Sequence, residues 1–120
     1  MADRRATGSL EESRSYKSAA INASSSGDNT IVAAVTSPNR RVKVYSVKLN
    51  VAGTVALKFK DGAGSDFEPA QPYQAREGYT ESCIPPSFLY GTTAGNALIL
   101  NLDGAIAVTG IVRYWDDDIA

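Results

Sequence analysis

The stretch Arg41 to Lys60, RVKVYSVKLNVAGTVALKFK, constrains this chain more than any other. In its second half Val55, Leu57 and Phe59 share one parity, and Thr54, Ala56, Lys58 and Lys60 share the other. A period of two describes a strand with one side buried and one side wet. In the first half Val42 and Val44 have one parity, while Val47, Leu49 and Val51 have the opposite one. One extra residue restores the facing, so a β-bulge near Tyr45-Ser46 is expected to keep all of these side chains on the core side. Ala52-Gly53 between the halves is short enough for a tight hairpin, with Gly53 supplying a positive φ. Antiparallel β-structure is the expectation.

The rest of the chain extends that pattern. YKSAAINA (Tyr16 to Ala23) reads as a weak first strand, SSSGD (Ser24 to Asp28) as a loop, and NTIVAAVT (Asn29 to Thr36) as a short buried strand. Ser37-Pro38-Asn39-Arg40 is a turn, because the residue before a proline is driven away from helix. Asp61 to Asp66 is expected to be a turn or a long loop. Phe67 to Pro86 holds four of the five prolines, and is expected to be irregular with one strand near Tyr79 to Cys83. Phe88-Leu89-Tyr90 is another brief strand. Leu98, Leu100 and Leu102 alternate with Ile99 and Asn101, and Asp103-Gly104 then signals a hairpin. In the last strand Ile106, Val108, Gly110, Val112 and Tyr114 face one way, and Thr109, Ile111, Arg113 and Trp115 the other.

No ten-residue segment has helical periodicity. The expected fold is all-β, an antiparallel β-sandwich or jelly roll of about seven or eight short strands. Residues 1–15 are expected to form an extended, flexible N-terminal arm, and residues 16–120 a single domain, as 120 residues allow.

Composition limits the chemistry. The chain has no histidine and one cysteine, Cys83. Histidine-dependent nucleophilic sites and histidine-containing zinc sites are thereby excluded within this chain, as is an internal disulfide. Cys83 is expected to act as a small buried hydrophobe. Glu68, Glu77 and Glu81 offer carboxylates, but nothing in the sequence brings two of them together for acid-base work. Asp116-Asp117-Asp118 lacks calcium-loop spacing, and is expected to be a solvated tail that guards the exposed end of the last strand. Gly62-Ala63-Gly64 has no helix after it, so it is a turn and not a phosphate loop. No catalytic, cofactor-binding or metal-binding residue is expected.

Charge is unevenly spread. Residues 29–60 carry Arg40, Arg41, Lys43, Lys48, Lys58 and Lys60 with no acid, whereas nine acids from Asp61 onward face only Arg76 and Arg113. Two readings follow: basic and acidic flanks that join subunits, or charges paired across strands. The pI near 5.3 and the apolar parity of Phe59 argue against a nucleic-acid partner. No run approaches the roughly 18–20 apolar residues that cross a bilayer, so no membrane is expected. The start, MADRRATGSLEESRS, has no apolar core after its arginines, and synthesis in the cytoplasm is the expectation. In the arm, Arg4, Arg5 and Arg14 are forked donors suited to an acidic surface, with Leu10 and Tyr16 as anchors. Tyr73, Arg76 and Tyr79 are candidate contacts in the long loop.

Three stretches carry a resemblance: SSSGDNTIVAAVT (Ser24 to Thr36), VYSVKLNVAGTVALKFKDG (Val44 to Gly62) and TTAGNALILNL (Thr92 to Leu102). Together they resemble small β-sandwich proteins encoded among the structural genes of tailed bacteriophages, over roughly Ser18 to Trp115. Within that group the chain is similar to capsid decoration (cement) proteins. The resemblance implies a non-enzymatic virion protein on the capsid exterior, made in the host cytoplasm. It also implies a homotrimer that bridges subunits of the major capsid protein. The proline-rich 67–86 segment is longer than that likeness leads one to expect. The alternative is a fibre or tail-tip module that binds receptor glycans through Tyr73, Tyr79 and Tyr90.

Overall fold

Alternating apolar residues with β-branched and aromatic side chains suit a pleated, half-buried surface, and among the described residues every regular element is a strand. The computed structural model describes residues 16–34 and 40–118. The arm, with Arg4, Arg5, Leu10 and Arg14, lies outside the described residues, as does most of the turn at Ser37-Pro38. The strands are β1 (Tyr16–Ala23), β2 (Gly27–Val32), β3 (Arg40–Val51), β4 (Val55–Asp61), β5 (Ser65–Asp66), β6 (Gln71–Tyr73), β7 (Gly78–Ser82), β8 (Tyr90–Gly91), β9 (Leu98–Leu102) and β10 (Val108–Asp118). Sheet A runs β1-β10-β3-β7 with β8 also on β3, and sheet B runs β2-β9-β4-β5 with β6 also on β4.

All pairings are antiparallel and they are nested. β1 pairs with β10, β2 with β9, β3 with β7 and β8, and β4 with β5 and β6. The chain is folded once on itself at the 62–64 turn, making a long two-stranded ribbon. Rolling that ribbon brings β10 against β3 and β9 against β4, which closes two packed sheets. This is the jelly-roll form of the β-sandwich.

The bulge stands where the parity change requires it. Arg113 is opposite Ser46 and Tyr114 opposite Val44, so Tyr45 is the extra residue. Val42, Val44, Val47, Leu49 and Val51 are all buried as a result. From sheet B, Val55, Leu57, Phe59, Leu98, Leu100 and Leu102 close the core from the other side.

Both expected hairpins are corners instead. At Ala52-Gly53 the chain leaves sheet A for sheet B, and at Asp103-Gly104 it passes from sheet B back to sheet A. A turn signal encodes local reversal, but it does not say which strand the exiting chain will meet. The corners lie side by side. Ala52 N donates to Ala107 O (2.9 Å), Asp103 N to Ala56 O (3.0 Å), and Ala56 N to Asp103 Oδ1 (2.9 Å). Gly53 has no positive φ; a Cβ there would stand 3.2 Å from Ile106 Cδ1, so its bareness serves contact between corners.

Other boundaries shift by small amounts. The strands beyond the expected number are the pieces of two and three residues, β5 and β6, while β8 at Tyr90–Gly91 overlaps the brief strand expected at Phe88-Leu89-Tyr90. β6 contains Pro72, which suppresses the strand signal yet is tolerated where β6 lies at a sheet margin on β4. β2 begins at Gly27, inside the expected loop. The acidic run does not end the last strand, because β10 continues to Asp118, in register with Arg40 and Arg41. β1 flanks β10 only as far as Trp115, opposite Tyr16; over Asp116–Asp118 the ladder among the described residues is with β3 alone.

Gly110 faces the interior, where β10 presses closest on β3. A Cβ at this position would stand 2.0 Å from Lys48 O and 2.7 Å from Leu49 Cα. Gly110→Ala is therefore expected to lower stability by about 3 kcal/mol in urea unfolding, whereas Gly104→Ala, which meets open space, changes it by less than about 0.5 kcal/mol. Phe59→Ala should cost about 3–5 kcal/mol, since the ring is wholly buried. A Gly110→Ala variant as stable as the parent would disprove the close approach.

Candidate functional site

Cross-strand pairing undoes much of the charge segregation seen along the chain. On the outer side of sheet B, Lys58 pairs with Asp66 (2.9 Å) and Lys60 with Asp28 (3.2 Å). Asn101 Nδ2 donates to Asp28 Oδ1 (2.7 Å). That amide, aided by Lys60 and opposed by partial burial, holds the Asp28 carboxyl below the usual range. Lys17 pairs with Asp116 across β1 and β10. The solvent-accessible pairs on sheet B contribute about 0–1 kcal/mol each, so their main effect is a neutralised outer face there.

The outer side of sheet A differs. Register aligns its outward residues in rows: Ser18, Arg113, Ser46, Ser82; then Ala20, Ile111, Lys48, Thr80; then Asn22, Thr109, Asn50, Gly78. Most of these side chains are short, and the face is a shallow groove. A cavity of about 430 Å³ lies over Lys48, Asn50, Thr80 and Thr109. It shares Lys48, Thr80 and Ile111 with a cavity of about 350 Å³ beside Ser46, Ser82, Cys83 and Arg113. A third, of about 260 Å³, continues past Arg113 and Tyr45 to Tyr16. Cys83 is half-buried on the groove wall, less enclosed than its expected role as a buried hydrophobe.

An aromatic cluster ends the groove. Trp115 is 1% exposed although it points away from the core between the sheets. It is covered by Tyr16 (centroids 6.1 Å apart), Tyr45 (5.9 Å) and Phe88 (6.4 Å). The Lys43 ammonium sits 5.0 Å from the Phe88 centroid. Cys83 N donates to Tyr45 O and Leu89 N to Val44 O, which tie the intervening loop to the bulge. Tyr16, expected as an anchor for the arm, is thus part of a built cluster, and remains 44% exposed. Parity placed Trp115 on the outer face, but no sequence signal reported that Phe88 would fold over it.

Tyr73 ends β6 on sheet B, Tyr79 lies in β7 on sheet A, and Arg76 is in the connection between them. Arg76 has φ +71° there, and its N–H donates to Val51 O (2.9 Å). Its side chain is exposed, while the Tyr73 and Tyr79 rings are half-buried against the core. Tyr90 is buried, with its ring 5.2 Å from Phe59 and 5.0 Å from Phe67. These tyrosines pack inward and form no open aromatic platform.

The carboxylates considered for chemistry are each engaged locally. Tyr90 Oη donates to Glu68 (2.7 Å), Tyr79 Oη to Glu81, and Gln74 N to Glu77 (2.6 Å). Asp61 accepts from Thr93 N, Thr93 Oγ1 and Asn96 Nδ2, and so clamps the 93–96 turn. Among the described residues no three Cys, Asp or Glu side chains are grouped to hold a metal ion.

Burial first, then the bond to Glu68, pushes the Tyr90 phenol far above its ordinary value, and Tyr79 is pushed up to about 12 by burial and Glu81. A phenol with a raised folded-state pKa contributes stability that is fully present below the unfolded pKa of about 10, and lost as pH rises from there towards the folded value. Between about pH 10 and 12, each phenol held protonated should steepen the fall in unfolding free energy by about 1.4 kcal/mol per pH unit. Tyr90→Phe should flatten that limb by one such increment, although it lowers stability at neutral pH. An unchanged alkaline slope would mean that Tyr90 ionises freely.

No protein-family model matches the chain, and no curated protein does. Among solved structures it is similar to a chain from disulfide-linked pili that form Bacillus endospore appendages. Identity is 15%, coverage is 89% of this chain and 88% of that one, and the TM-score is 0.48.

Proposed function

We propose that this protein is a non-enzymatic virion structural protein, a capsid decoration protein that binds the exterior of a phage head and bridges major-capsid-protein subunits. The observation that carries the reading is the aromatic end of sheet A. Tyr16, Phe88 and Ile84 are 44%, 42% and 84% exposed there, at the place where residues 1–15 join the fold. Aromatic anchors set among polar surface are the groups that dominate contact energies between proteins, and leaving several in water is unfavourable. The resemblance of three turn-and-strand stretches to phage decoration proteins supports the same reading. A homotrimer would present three such ends to the head. The fibre or tail-tip reading through Tyr73, Tyr79 and Tyr90 gains nothing from the geometry, because those rings are committed to packing.

Co-sedimentation with heads assembled from the major capsid protein tests the reading. Full-length protein should bind, and deleting residues 1–15 should leave cooperative unfolding intact but weaken attachment by about tenfold or more. Light scattering should give the mass of three chains. Full-length protein that fails to bind heads would refute the proposal, and equal binding by the truncated chain would remove the arm from it.

A further inference from the structure

We infer that the groove on the outer face of sheet A is a binding site for an acidic, uronate-bearing saccharide. Its two central cations are Lys48 and Arg113. They stand on adjacent rows of β3 and β10, and both are exposed. No acidic residue lines the three contiguous cavities, and among the described residues neither cation has an ion-pair partner. Sheet B shows the contrast, since Lys58 and Lys60 on its outer side each have a carboxylate partner. Around Lys48 and Arg113 stand the hydroxyls of Ser46, Thr80, Ser82 and Thr109 and the amide of Asn50. Paired cations recognise carboxylates, and a field of hydroxyl and amide groups matches the many hydroxyls of a sugar chain.

Other polyanions fit less well. An extended acidic peptide would rest on the two cations alone, because β10 and β3 already have neighbours on both sides and offer no free ladder groups over the face for strand addition. Single-stranded nucleic acid needs exposed ring faces on which bases stack. Here the three outward rows of the groove hold no aromatic side chain, and the exposed rings, Tyr16 and Phe88, stand only at its end. Tyr79 borders the first cavity, while Tyr73 and Arg76 line none of the three, and the site does not depend on head attachment.

Isothermal titration calorimetry on the full chain tests this, with oligogalacturonate and short hyaluronate as probes. An uncharged oligosaccharide of equal length, polyglutamate and oligo-dT serve as controls. Both uronate probes should bind, more tightly than any control, with affinity that falls as salt rises. Lys48→Glu and Arg113→Glu should each weaken binding by about tenfold, the loss of one charge-assisted contact. Thr80→Trp, which fills the groove without changing charge, should abolish it; Thr80 is exposed, and a thermal melt verifies that the variant folds. No binding of either uronate probe would overturn the inference. So would equal binding of polyglutamate or oligo-dT, which would mean an unselective cationic surface, or unchanged binding by a folded Thr80→Trp variant.

Discussion

The ladder between β3 and β10 is the pairing on which the other features depend. These are the two longest strands, and they lie side by side in the middle of sheet A, each with neighbours on both flanks. Their inward residues, Val42, Val44, Val47, Leu49, Val51, Val108 and Val112, form one wall of the core. The Tyr45 bulge lets that wall stay apolar along its full length. Gly110 lets the two backbones approach more closely than any side chain would permit. A slip of one residue in this ladder would turn the valines outward and bury Lys48 and Arg113, so hydrophobic burial alone holds the register strongly.

The same ladder sorts the surface. Because alternate residues of β3 and β10 are committed to the core, the remaining ones form ordered rows on the outside. Those rows are short and polar at one end and aromatic at the other. Trp115 shows that a sandwich can bury a large ring on its outer face, provided neighbouring strands and a loop supply the cover. Sheet B takes the opposite course and covers its outer side with compensated charges. The two faces of this small protein are therefore chemically unlike, and the readings proposed for contact and for ligand binding both fall on sheet A.

The jelly-roll topology also accounts for where local signals mislead. Turn residues at Ala52-Gly53 and Asp103-Gly104 do reverse the chain, but the ribbon bends at both places, so each reversal carries the chain into the opposite sheet. β4 pairs with β9, more than thirty residues away, on one flank and with β5 and β6 on the other, and not with the adjacent β3. Pro72 hid a short strand for a related reason. Its missing N–H matters only where a neighbour would need it, and that depends on where β6 sits in the sheet.

What the sequence determined by itself is local and periodic. The parities of β3, β4, β9 and β10, the need for a bulge at Tyr45, and the all-β class follow from alternation, because each strand buries one face whatever its partners are. Partner choice, the corners, the pairing of Lys60 with Asp28, the cover over Trp115 and the inward turn of Tyr90 were decided only in the tertiary structure. They join residues far apart in the chain, and their energies arise from contacts that exist only after the ribbon has rolled. Parity tells a residue which way to face; only the packed sheets determine what it meets there.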